Sequence, residues 1–181
     1  MNYISDFADQ AVILPVAGIV LICVVLLGWW QAAGAWLLGV GGVLSAMIFL
    51  KYGLVILAGM FGSEYMSSPS GHVAAACVIY GGMSLLLFQG VVPAAVLALV
   101  PVLLAAFVGY IRVALGAHTM GEVLAGAIVG CLGYAAMAAM IGRRPRLATW
   151  PVAAAGGCTM LALHGMHMPA EAAIRFAASG W

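Results

Sequence analysis

The sequence predicts an all-α integral membrane protein, with six transmembrane helices in one bundle and a short re-entrant or interfacial segment at about 52–66. Three observations lead there. The 181 residues are 66% hydrophobic and 6% charged, too little polar surface to cover a soluble fold. The apolar residues come in runs of about 20, the length that crosses a bilayer as a helix. The joints between those runs are so short that neighbouring spans must be antiparallel.

The elements follow in order. Met1 to Gln10 is polar, carries Asp6 and Asp9, and has no Lys or Arg. It lacks the basic leader of a secretory signal, so the first apolar run is read as a retained span. The six expected spans are Ala11–Trp30, Ala32–Leu50, Val73–Gln89, Val91–Tyr110, Val123–Ile141 and Pro151–Met168. Trp29, Trp30 and Trp150 fall at span ends, where interfacial aromatics belong. Tyr52–Phe61 is apolar but too short to cross, and Gly53, Gly59 and Gly62 weaken it as a helix. It reads as a segment lying over the functional end, tolerable at that depth only if protein or a wet cavity covers it. Gly126 and Gly130 form a small-xxx-small pair, read as close packing within the chain rather than between copies, though a homo-oligomer stays open. Residues 1–181 form one membrane domain, with no repeat or linker.

Arg143-Arg144-Pro145-Arg146 holds half of the six basic residues, which assigns that loop to the cytoplasm. Counting hairpins back from it, Lys51, His72, Arg112 and His118 all fall on the opposite face. Six spans also put both termini there. With a net charge of +1, the chain has no electrostatic footprint for nucleic acid.

Chemistry concentrates between Ser67 and Glu122. Ser68 suits a helix N-cap and Pro69 the first helical position, so the apolar run from His72 to Gln89 reads as a helix. Its first amides lack carbonyl partners and sit at the positive end of the dipole, while Gly71 lets an anion approach. This makes a phosphate cradle with His72 on its rim. Further on, Glu122 stands four residues after His118, one helical turn away. A carboxylate there can hold one ring nitrogen and leave the other nucleophilic. Arg112 adds a planar, permanently charged fork that matches phosphate oxygens.

Pro69-Ser70-Gly71-His72, followed by Arg112-x5-His118-x3-Glu122, resembles the second and third motifs of the type 2 phosphatidic acid phosphatase superfamily. Lys51 resembles the lysine that opens the first motif, Lys-x6-Arg-Pro, although Ala58-Gly59 stand in place of Arg-Pro. In the third motif Ile111 replaces the usual Ser and Glu122 the usual Asp. The resemblance covers residues 51–122 and implies a membrane-embedded, metal-independent lipid phosphatase without a cofactor. It implies that His118 attacks phosphorus to form a phosphohistidine, with Glu122 holding its tautomer, and that His72 serves as general acid and then base. It further implies that Lys51, Arg112 and the amides of Ser70 and Gly71 bind the phosphate oxygens. The substrate would be a lipid phosphate or pyrophosphate reached among membrane lipids. In a bacterium the chain would sit in the cytoplasmic membrane with a periplasm-facing site.

Two other activities share these residues. A phosphotransferase would pass the phosphoryl group to a lipid or sugar hydroxyl instead of water, and a non-catalytic lipid-phosphate carrier would keep only the cradle. Arg175 is a candidate replacement for the missing first-motif arginine, and Glu64 a candidate partner of Lys51. His164, His167 and Glu171 share a helix face, read as an interfacial polar face rather than a metal site. Cys23, Cys77, Cys131 and Cys158 fall within spans without a CxxC and read as packing residues.

Overall fold

The computed structural model describes residue 7 and residues 9–61, 68–143 and 150–166. They form six helices: α1 (Gln10–Leu26), α2 (Trp30–Phe61), α3 (Gly71–Phe88), α4 (Ala94–Ala114), α5 (Met120–Met140) and α6 (Trp150–Ala162). Among the described residues there is no strand beyond an isolated bridge between Gln89 and Val92 at the α3–α4 turn.

Four helices are long and apolar enough to cross a membrane: Trp30–Leu54 within α2, and the whole of α3, α4 and α5. Two apolar helices are shorter, α1 with 17 residues and α6 with 13. The sixth expected span stops at Ala162, and its end at Met168 lies outside the described residues.

α3 is the hub. It touches every other helix, and from Val73 to Ile79 each of its residues is buried. α5 packs along it and also against α2 and α4, while α1 and α6 pair at one side. The close approach of α3 and α5 depends on the two glycines noted above. A Cβ on Gly126 would collide with the Ser70 carbonyl, and one on Gly130 would lie 2.6 Å from the Ala74 oxygen. The pair therefore packs within the chain. Large apolar side chains such as Leu99, Leu103, Phe107, Leu124, Ile128 and Leu132 point outward. That pattern suits lipid, where apolar residues need no burial in protein.

Trp36 and Tyr134 find backbone partners inside the bundle. The Trp36 indole donates to the Ala17 carbonyl at 3.0 Å. Pro101, inside α4, has no N–H to offer the carbonyl four residues before it. That carbonyl belongs to Leu97, and the Tyr134 hydroxyl of α5 donates to it at 2.8 Å. The proline's missing bond is thus replaced across helices, as a bilayer interior demands.

One expectation is corrected. Tyr52–Phe61 is no separate re-entrant segment but the continuation of α2, which runs 32 residues without interruption. The remainder of that expectation, residues 62–66, lies outside the described residues. Glycine weakens a helix by only about 1 kcal/mol, whereas breaking the hydrogen-bond ladder in an apolar setting leaves groups costing several kcal/mol each. Backbone satisfaction outweighs the two glycines. At 1.5 Å per residue α2 is about 48 Å long, more than the roughly 30 Å of a hydrocarbon core.

Candidate active site

The motif residues meet at one end of the bundle. Lys51 comes from α2, Ser70, Gly71 and His72 from the start of α3, Arg112 from the last turn of α4, and His118 with Glu122 from the start of α5. α1 begins at this end too, because Asp9 lies beside His72.

Arg112 and His118 owe their spacing to a helix ending. α4 stops at Leu115, and Gly116 follows with φ +66, which favours glycine. The Gly116 amide donates to the Val113 carbonyl at 2.9 Å and the Ala117 amide to that of Arg112 at 3.0 Å. The chain then turns back so that the His118 amide also meets the Arg112 carbonyl, at 3.3 Å. The five residues between Arg112 and His118 are the last helical turn plus this reversal.

Thr119 then caps α5. Its hydroxyl accepts from the Glu122 amide at 3.4 Å, and the Glu122 carboxylate accepts from the Thr119 amide at 2.7 Å. This is a capping box. The same oxygen, Oε2, lies 3.2 Å from His118 Nδ1. A carboxylate can only accept, so Nδ1 is the donor in this pair, which in the neutral ring puts the lone pair on Nε2. His118 itself precedes the helix rather than belonging to it. The Glu122 side chain reaches back to both groups. The pair is sheltered, with side chains 6% and 13% exposed.

The start of α3 docks on this unit through the main chain. The Ser70 amide donates to the Glu122 carbonyl at 2.9 Å. Two sequence expectations change as a result. Helix α3 begins at Gly71 with Ser70 as its cap, rather than at Pro69 with Ser68 as cap. The Ser70 amide, expected to face an anion, is already committed to Glu122. Its hydroxyl is fully buried with no hydrogen-bond partner among the described residues. The first backbone bond of α3 runs from the Ala74 amide to the Ser70 carbonyl, so the amides of Gly71, His72 and Val73 stand ahead of the helical ladder.

Lys51 is buried. A methyl group placed on Gly71 would stand 3.9 Å from its Nζ, so the ammonium lies over the glycine that opens α3. The His72 ring is within electrostatic reach of Arg112, Asp9, His118 and Lys51. The sequence-selected cations and both imidazoles therefore share one site.

Asp9 is the residue that sequence reading missed. It caps α1, accepting from the Ala11 amide at 2.9 Å, and its other oxygen stands 4.0 Å from His72 Nε2. The signal was an aspartate just before an apolar run, the position of an N-cap. Its meeting with His72 is tertiary. Glu64, Arg175, His167 and Glu171 lie outside the described residues. His164 packs its ring against Phe7, centroids 4.2 Å apart. Cys77 donates to the Pro101 carbonyl at 3.3 Å, a packing role within the core.

The family profile described as PAP2 superfamily matches residues 52–146. No curated protein and no solved structure matches the chain.

Proposed function

Since the chain belongs to the PAP2 superfamily, a family of phosphatases, we propose that it is a membrane-embedded hydrolase of lipid phosphates or pyrophosphates working through a phosphohistidine. The observation that carries this reading is the His118–Glu122 pair, held by its capping box and joined to α3 by the Ser70–Glu122 bond.

His118 Nε2 attacks phosphorus in line, forming an N–P bond as the P–O bond to the lipid breaks. Glu122 holds the ring orientation and balances its positive charge. His72 gives a proton to the departing oxygen, then accepts one from the water that cleaves the N–P bond and releases phosphate. Arg112, Lys51 and the first amides of α3 neutralise the equatorial oxygens during both transfers. Ser70 would contribute its hydroxyl, since its amide is engaged. By the positive-inside argument the site opens opposite the arginine loop, which in a bacterium is the periplasmic face. Six crossings fit this reading, with α1 and α6 completing the bundle. A headgroup then enters at the interface while its tail stays in the bilayer.

Purified protein in detergent, given long-chain lipid phosphates and pyrophosphates, is expected to release phosphate. His118→Ala should not. Equal release by the two would defeat the proposal and favour a carrier. Appearance of a phosphorylated acceptor in place of free phosphate would favour the transferase.

A further inference from the structure

We infer that Asp9 is a positioning residue for His72, the counter-charge that holds its protonated ring in place for the leaving group, a role resting on the phosphatase reading above.

The need for it follows from the site's charges. His72 is flanked by Lys51 from α2, Arg112 from α4 and His118 from the α4–α5 turn. Glu122, from α5, is engaged with His118 and the Thr119 amide. A proton on His72 adds another positive charge to a group selected to bind phosphate. Asp9 is the negative charge at its side, 4.0 Å from Nε2, beyond hydrogen-bond range but within that of an ion pair. Opposite charges at such distance interact strongly where burial excludes water, and Asp9 is 9% exposed.

Asp9 is also fixed in place. One carboxylate oxygen caps α1 at the Ala11 amide, and the Asp9 carbonyl accepts from Val12 at 3.1 Å and Ile13 at 2.9 Å. Two residues earlier, the Phe7 carbonyl accepts from the Tyr80 hydroxyl of α3. The start of α1 is thereby tied to the helix that bears His72. The tie reaches the site from outside its three motifs.

The test separates charge from capping. Asn caps a helix as well as Asp does, so Asp9→Asn removes the charge and leaves the fold. Two substrates are compared: p-nitrophenyl phosphate, whose phenolate departs without a proton, and a long-chain alkyl phosphate, whose alkoxide requires one. Asp9→Asn should lower kcat/KM, which reports the step that expels the leaving group, by about tenfold or more on the alkyl ester and by less than about twofold on the aryl ester. Asp9→Glu should recover part of the alkyl rate. The ratio of the two rates does not depend on how much protein is folded. An unchanged ratio, whether both rates hold or both fall together, overturns the inference and leaves Asp9 a helix cap. A wild-type protein inactive on both esters overturns the phosphatase reading, and the inference with it.

Discussion

Replacing Glu122 by Gln isolates what its carboxylate does for His118. The side chain has two tasks: it accepts from the Thr119 amide at 2.7 Å and holds His118 Nδ1 at 3.2 Å. Gln fits the capping box as Glu does, so α5 should still start at Met120. The amide carries no charge to set against the positive ring that forms when His118 attacks. A charge-assisted hydrogen bond contributes about 1.5–3 kcal/mol, which is roughly a 10- to 150-fold loss in rate. Thermal unfolding in detergent should stay within about 1 kcal/mol of the wild type, because the cap is kept. The assay is kcat/KM for phosphate release beside the unfolding midpoint. Activity within about twofold of wild type would refute the reasoning, since a charge-assisted bond is worth more than that. So would a rate loss matched by an equal loss of stability. Glu122→Asp, the family's usual residue, is the companion. Its shorter arm cannot serve both groups in this backbone, so it should lose about 1 kcal/mol of capping.

Two further substitutions test the anion pocket and the helix contact that supports it. Ser70→Ala deletes a buried hydroxyl that has no partner among the described residues, so unfolding should be unchanged or slightly later, while KM for a lipid phosphate rises by about three- to tenfold, the worth of one neutral hydrogen bond. Gly126→Val drives a side chain into the Ser70 carbonyl, and overpacking of this kind should destabilise by about 1–3 kcal/mol. Because it pushes α3 off α5, its kcat should fall further than its stability does, as measured by turnover at a temperature where the protein remains folded.

How much of this was legible beforehand differs by level. The spans now seen as α3, α4 and α5 were readable to within a few residues, because each is an apolar run bounded by a turn signal. α2 was cut short at Lys51, since a lysine followed by scattered glycines looks like a helix end; the backbone ladder runs on regardless. The site's chemistry was legible for a related reason. In a chain with so few charges, Lys51, His72, Arg112, His118 and Glu122 stand out, and ionisable groups near a bilayer are seldom incidental. That they gather at one end of the bundle was legible from the hairpin count; the contacts that join them were not. The Ser70 amide's commitment to Glu122 depends on how closely α3 can approach α5, and that approach rests on absent side chains at Gly126 and Gly130. Asp9 was passed over because its local signal is that of a helix cap, and its approach to His72 is tertiary. The role of Gly116 was equally hidden, since φ +66 is visible only once the chain turns.

The bond between the Ser70 amide and the Glu122 carbonyl has an evolutionary side. A clasp made of main-chain atoms is blind to the identity of the residues it joins. Substitutions around it can remodel the pocket mouth, retune affinity or admit a different headgroup without unfastening the two halves of the site. A lineage built this way can drift among substrates while its histidines stay within reach of each other.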